Sequence, residues 1–158
     1  EFAPGFVVLV TPASTVRRVA ADLAFPNGMA ITDDGSTLIV AESYAEQLTA
    51  FDITAAGDLV GRRVWAATPG DHPDGICLDA EGAVWYADVG NRHCVRVAEG
   101  GTVLGTVEFD RGAFACVLDR DPDRPRLFVV GQEYGAEAPG PTGRVVAFPA
   151  PAPGAGRP

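Results

Sequence analysis

The sequence has few basic residues, one methionine and no long apolar run. These shortages argue against polyanionic partners and against a membrane-spanning helix. Twelve Lys and Arg residues stand against 21 Asp and Glu residues, for a formal charge of −9. Most of the surface should therefore repel polyanions, and neither nucleic acid nor an anionic membrane surface is an expected partner. No apolar run approaches the roughly 20 residues that a membrane-spanning helix needs.

Methionine occurs once, at Met29, inside a predicted strand, and the chain begins with Glu1. A chain of this kind does not start at its own translation start, and it shows no signal-peptide pattern. We therefore expect a piece of a longer protein or a processed product.

Cysteine is scarce as well. Cys77, Cys94 and Cys116 are separated by 17 and 22 positions, which matches no zinc-binding pattern. An odd number of cysteines without a disulfide framework indicates buried, reduced thiols that pack as small apolar side chains. This usage favours a cytoplasmic location.

Glycine and proline are plentiful, with 19 and 13 residues. They separate short segments rich in Val, Ile, Thr and aromatic residues, a pattern that predicts an all-β chain with many turns.

Two stretches of the chain, residues 25–42 and 72–88, look like copies of each other. Asn27 and Asp74 are 47 positions apart, as are Gly35 and Gly82. A repeat of about 40 to 50 residues is typical of the four-stranded blades of a β-propeller.

The strand pattern predicts two complete blades, over residues 28–66 and 75–109. A hairpin within residues 6–20 precedes them, and three strands within residues 115–148 follow, where Phe114 takes the position held by Asn27 and Asp74. Residues 1–149 should thus form a partial propeller of about three blades, with apolar flanks that need a partner: missing N-terminal blades or another copy. Residues 150–158, rich in Pro, Gly and Ala, should form a disordered tail.

Asn27 and Asp74 are the leading candidates for a functional site. Each lies just before an innermost strand, so neighbouring blades should bring both side chains to the mouth of the central channel. Amide and carboxylate oxygens there would suit a hard divalent cation. Asn-Gly and Asp-Gly are also common turn dipeptides, and the residues alone leave the two interpretations open.

Three further residues are weaker candidates for contact with a substrate. Glu42 and Asp88 end the second strand of their blades and would shape the pocket rim, although solvated loop carboxylates are the simpler interpretation. His72 precedes the second motif and would reach the channel mouth, although a lone loop histidine is more often on the surface. No Ser or Cys stands at a spacing that suggests a catalytic triad.

The paired motifs, Phe-Pro-Asn-Gly at residues 25–28 and His-Pro-Asp-Gly at residues 72–75, resemble those of the SMP-30/gluconolactonase family, also called regucalcin-like lactonases. The resemblance extends to about residue 148 and corresponds to the C-terminal half of such proteins. It implies a six-bladed β-propeller that hydrolyses sugar lactones or related esters with one divalent cation (Ca, Zn, Mn or Mg). Asn27 and Asp74 would then be metal ligands, and Asp74 also the candidate catalytic base.

The family's remaining acidic ligand, a glutamate near the start of the full-length proteins, has no counterpart in this sequence. We therefore expect the C-terminal part of a metal-dependent lactonase that by itself is inactive and binds metal weakly or not at all. The alternative is a non-catalytic propeller fragment that acts as a binding module. A third possibility is another chemistry on the same scaffold, such as phosphotriester hydrolysis.

Overall fold

Antiparallel strands joined by short turns make up most of the structure. The computed structural model describes residues 2–134 and 141–157. The strands are β1 (Gly5–Val10), β2 (Val16–Leu23), β3 (Pro26–Ile31), β4 (Thr37–Glu42), β5 (Gln47–Ile53), β6 (Leu59–Ala67), β7 (Pro73–Asp79), β8 (Val84–Asp88), β9 (His93–Val97), β10 (Val103–Glu108), β11 (Gly112–Leu118), β12 (Arg126–Gln132), β13 (Arg144–Pro149) and β14 (Gly154–Ala155). None of the helical structure in these ranges is long and apolar enough to cross a membrane.

The strands form four sheets, ordered β1-β2, β3-β4-β5-β6, β10-β9-β8-β7-β14 and β11-β12-β13. The two complete blades that the repeat predicts are the sheets of β3–β6, the first blade, and of β7–β10, the second blade. The sheet of β11–β13 is the partial third blade, and β1-β2 is part of a blade that precedes the first. Strands β3 to β6, β7 to β10 and β11 to β13 are adjacent in chain order within their sheets, and β14 pairs with the free edge of β7. Neighbouring blades meet through β3, β7 and β11, which confirms the prediction of an all-β propeller arc of about three blades.

Two glycines set how closely the inner strands approach. A Cβ atom on Gly28 would lie 2.6 Å from the Asp74 carbonyl oxygen, and one on Gly75 would lie 2.7 Å from the Ala115 Cα. Neither glycine has a positive φ, whereas the hairpin glycines Gly35 and Gly82 do. The interpretation of Asn-Gly and Asp-Gly as turns is therefore wrong: glycine is required here because the next blade leaves no room for a side chain.

Gly75→Ala is expected to destabilise the fold by about 1–3 kcal/mol, because the added methyl group has to push β7 away from β11. Urea unfolding of the 158-residue chain measures this loss. Gly105→Ala is the matched control, since this strand glycine faces open space. Equal losses for the two variants would contradict the steric explanation.

The cysteines lie where the sequence predicts. All three are free and buried, and they sit in the apolar cluster between the second and third blades. The Cys77 and Cys94 side chains, together with burial, raise the pKa of the Cys116 thiol well above its ordinary value. The thiol therefore stays protonated at neutral pH and packs as an apolar group.

The C-terminal segment differs from the disordered tail that its composition predicts. Ala152 is 3% exposed, and Gly154–Ala155 pairs with Asp79 and Leu78 of β7. Backbone hydrogen bonds hold this segment, so it needs no large side chains. Its small residues suit the narrow space, since a Cβ on Gly154 would lie 2.9 Å from a carbonyl oxygen of β11.

Candidate functional site

A pocket of about 410 Å³ opens at the end of the arc where the inner strands β3 and β7 begin. Most of its lining comes from the loops that lead into the inner strands and from the loops that follow the second strands. The lining residues are Phe25, Asn27, Ser43, Tyr44, His72, Asp74, Val89, Gly90, Phe114 and Tyr134. The structure thus brings Asn27, Asp74 and His72 together, as predicted, whereas Glu42 and Asp88 do not line the pocket.

Asn27 and Asp74 face each other from neighbouring blades. Both side chains line the same pocket, and the Asn27 amide lies close enough to Asp74 to lower the pKa of its carboxyl group. An amide oxygen and a carboxylate in this arrangement are suitable ligands for a hard cation. The donor set therefore fits the kind of metal that the sequence implies.

The electrostatics of Asp74 favour a bound cation. Burial raises the pKa of Asp74 from 3.8 to about 6, the nearby Asn27 side chain opposes this shift, and the charge of Asp88 adds to it. The ionised carboxylate is therefore poorly compensated by the protein itself. A positive ion next to Asp74 would supply the missing compensation and lower this pKa.

Glu42 is buried, with 1% of its surface exposed, so the interpretation as a solvated loop carboxylate is wrong for this residue. Its Oε2 accepts a 2.6 Å hydrogen bond from the Ala24 amide, and its Oε1 accepts one of 2.5 Å from the Thr49 hydroxyl. The Arg62 guanidinium lies 3.0 Å from Oε1. Burial would raise the pKa of Glu42, but the bonds from Thr49 and Ala24 and the charge of Arg62 outweigh it and lower the pKa.

The same interpretation is wrong for Asp88, which is 0% exposed. Asp88 Oδ2 accepts a 2.7 Å hydrogen bond from the His72 amide, and Oδ1 accepts one of 2.8 Å from the Asn91 amide. Within residues 2–134 and 141–157, no cationic side chain forms an ion pair with Asp88 within 4.0 Å. Its charge therefore acts on the neighbouring Asp74 without local neutralisation.

A polar cluster that sequence reasoning missed lies beside the pocket. The ligand atoms of Asp71, Asp88 and His93 lie within 4.8 Å of one another. Asp71 accepts hydrogen bonds of 2.6 Å from the Tyr86 hydroxyl and 2.7 Å from the Asn91 amide group, and its Oδ2 lies 3.1 Å from His93 Nε2. The pairing of β8 with β9 could have revealed this cluster, because Asp88 lies directly opposite His93 in the two strands.

Aromatic side chains form the walls of the pocket. Phe25 stacks on Tyr44 with ring centroids 4.6 Å apart, and Phe114 meets Tyr134 edge to face at 6.1 Å. Phe114 thus supplies an apolar wall at the position where the other two blades carry Asn27 and Asp74. The pocket combines two oxygen-bearing side chains with apolar walls, an arrangement that can hold a small organic ligand against a cation.

Comparisons with known proteins agree with this description. L-arabinolactonase of Azospirillum brasilense is 29% identical over 134 residues, which cover 83% of this chain and 44% of that protein. Diisopropyl-fluorophosphatase of Loligo vulgaris is 30% identical over 96 residues, covering 56% of this chain and 31% of that protein. A solved gluconolactonase structure from Xanthomonas campestris superposes with a TM-score of 0.68 at 31% identity, covering 83% of this chain and 43% of that one.

The chain therefore spans less than half the length of these curated relatives. The fold prediction, a partial arc of a six-bladed β-propeller, is confirmed by the likeness to the gluconolactonase. Residues 2–132 match the family described as "SMP-30/Gluconolactonase/LRE-like region". The predicted resemblance is thus confirmed, and the chain belongs to the SMP-30/gluconolactonase/LRE-like family.

Proposed function

We propose that this chain is the C-terminal part of a divalent-metal-dependent hydrolase that opens a sugar lactone or a related ester. The observation that carries the proposal is the meeting of Asn27 and Asp74, from adjacent blades, in one aromatic-walled pocket. The family and the lactonases among its relatives support the substrate class. The proposed cation is Ca²⁺, Zn²⁺, Mn²⁺ or Mg²⁺.

Asn27 and Asp74 would hold the cation through their side-chain oxygens, leaving other coordination positions for water and substrate. A cation held there supplies polarisation of the substrate carbonyl and acidification of a water molecule. Asp74 orients the attacking water and accepts its proton at a carboxylate oxygen. With a pKa of about 6 in the protein alone, Asp74 is ionised at neutral pH, as a base requires. The aromatic walls pack against the apolar faces of the substrate and exclude other water.

Two ligands make an incomplete coordination sphere, so we propose that the missing N-terminal blades supply a further ligand. We propose that the exposed apolar flanks of the arc contact the missing N-terminal blades or another copy of the chain. On the third blade Val117, Val130 and Val145 are 50%, 44% and 66% exposed. We also propose a cytoplasmic location, which the three free thiols support.

The 158-residue chain alone is expected to bind divalent cations weakly or not at all, because its two ligands leave the ion too few protein oxygens. Calorimetric titration with calcium, manganese and zinc tests this expectation. Tight, stoichiometric uptake by the isolated chain would contradict it. The longer protein is expected to bind one ion under the same conditions.

Two rival functions remain. A binding module would have no turnover, whereas phosphotriester hydrolysis is favoured by the similarity to diisopropyl-fluorophosphatase. The longer protein should be assayed on sugar lactones and on a phosphotriester, with and without a chelator. Chelator-sensitive lactone hydrolysis supports the proposal. Turnover confined to the phosphotriester favours that chemistry, and no turnover on either substrate favours the binding module.

A further inference from the structure

We propose that Glu42 and Asp88 are positioning residues for the metal ligands. We call the loop that leads into the inner strand of a blade the approach loop. Each of the two residues is a carboxylate clamp, that is, a buried carboxylate at the end of the second strand that binds the backbone of the approach loop. The clamps thereby aim Asn27 and Asp74 into the pocket. This inference rests on the proposed function, since it assigns a role toward the same site.

In the first blade the clamp acts on a strained loop. Phe25 has a φ of 58°, a conformation that costs energy for a bulky residue and persists only where the surroundings enforce it. Glu42 Oε2 binds the amide of the preceding residue, Ala24, at 2.6 Å. The backbone amides of Ser43 and Tyr44, directly after Glu42, donate to the carbonyls of Phe25 and Ala24 at 3.1 Å. Asn27 follows two residues later, so its direction depends on this arrangement.

In the second blade the clamp joins two loops. Asp88 binds the His72 amide through Oδ2 at 2.7 Å and the Asn91 amide through Oδ1 at 2.8 Å. His72 lies two residues before Asp74, and the loop between Asp88 and Asn91 contributes Val89 and Gly90 to the pocket wall. One buried side chain therefore fixes both the loop that leads into the strand carrying Asp74 and the pocket wall beside it.

The third blade provides an internal comparison. The strand register pairs Pro26 with Glu42 in the first blade and Pro73 with Asp88 in the second. The equivalent pair in the third blade is Ala113 and Gly131, and a Cβ on Gly131 would collide with the Gly112 carbonyl and the Phe109 ring. The blade that carries Phe114 in place of a polar ligand thus also lacks the carboxylate, so the two features occur together.

Glu42→Gln and Asp88→Asn test the clamps, with Asp79→Asn as the matched control. An amide has one acceptor oxygen where the carboxylate has two, so each variant loses at least one of its bonds. Asp79 is equally buried, at 1% exposed, and its Oδ1 also accepts two backbone bonds, from Glu81 and Ala83 at 2.9 and 3.0 Å. These bonds lie at the far end of β7, away from the pocket.

The first readout needs no metal. In the 158-residue chain, amide hydrogen exchange at Ala24 in Glu42→Gln and at His72 in Asp88→Asn is expected to accelerate about tenfold or more. Exchange at the same amides in Asp79→Asn is expected to change only as far as its global stability falls. Unchanged exchange at Ala24 and His72 in the clamp variants would overturn the inference.

The second readout is Mn²⁺ binding by the longer protein. Each clamp variant is expected to weaken the Kd by about 10- to 100-fold, the usual effect of losing a group that orients a metal ligand. Asp79→Asn should change the Kd less than about twofold while losing at least as much thermal stability. Parallel losses of affinity and stability in all three variants would reduce the clamps to general structural residues and overturn the inference. A wild-type protein that binds no Mn²⁺ removes the proposed function, while the exchange experiment still tests whether the clamps hold the loops.

Discussion

Asp74→Asn is expected to lower the proposed lactone turnover of the longer protein about 10³-fold or more. Asparagine keeps the shape of the side chain but removes the negative charge and the proton acceptor. Both the affinity for the proposed cation and the deprotonation of the attacking water should therefore decrease. Steady-state assays at saturating metal measure the loss. Asp52→Asn is the control, because Asp52 is an exposed carboxylate paired with Arg63 on the outside of the first blade. Turnover within about twofold of wild type for Asp74→Asn would remove Asp74 from the mechanism.

The same substitution should stabilise the metal-free chain at neutral pH. The pKa of Asp74 is about 6 in the folded chain, above the ordinary value of 3.8, chiefly because of burial. A raised pKa means that ionisation disfavours the folded state, so the wild type loses stability as pH rises from about 4 through about 6. With solvent screening of a partly exposed group, we expect Asp74→Asn to be more stable by about 1 kcal/mol at pH 7.5.

Urea unfolding with a chelator present, at pH values from 3.5 to 8, tests this dependence. The difference between Asp74→Asn and the wild type should vanish below about pH 4, where Asp74 is protonated in both the folded and the unfolded state. A variant that is less stable than wild type at pH 7.5 would show that the carboxylate is stabilised, not strained, in its pocket. The activity and stability effects of this one substitution should therefore have opposite signs.

The second large effect concerns stability alone. Asp79→Ala is expected to destabilise the chain by about 3–5 kcal/mol, because it leaves the buried Arg96 guanidinium without its main partner. Arg96 is 7% exposed and Asp79 is 1% exposed, and Arg96 Nε lies 2.7 Å from Asp79 Oδ2. The change also removes the two bonds that Asp79 accepts from the turn between β7 and β8.

Glu81 provides a control for this prediction, since it binds the same guanidinium at the same 2.7 Å but its side chain is 63% exposed. Glu81→Ala should cost only about 0.2–1 kcal/mol, as is usual for a solvent-exposed ion pair. Thermal and urea unfolding of both variants measure the two values. Similar losses would show that burial does not set the strength of this network.

The blades were predictable from the sequence because the fold is built from repeats, and the spacing of equivalent residues gives the length of each repeat. The 47-residue spacing places Asn27 and Asp74 at the same position of adjacent blades, and adjacent inner strands necessarily bring such positions together. The dipeptide alternative could not be resolved from the residues, because the need for Gly28 and Gly75 comes from the next blade rather than from their neighbours in sequence.

The roles of Glu42, Asp88 and the C-terminal segment were not predictable in the same way. The partners of Glu42 and Asp88 include the backbone amides of Ala24 and His72, and every residue except proline carries such a group, so the sequence gives no sign of the contact. The segment around Gly154 likewise binds through its backbone. The amino-acid composition describes side chains only. These contacts are made with main-chain groups, and their positions are known only once the chain is folded.

Gly28 and Gly75 have a consequence for redesign of the site. Because main-chain atoms of one blade lie close to those of the next at these glycines, backbone packing sets the distance between the strands that carry Asn27 and Asp74. In the proposed metal site, mutations around the rim should therefore change which organic molecule enters without altering which ionic radius is accepted. Retuning the preferred ion would instead require longer or shorter side chains at residues 27 and 74 themselves.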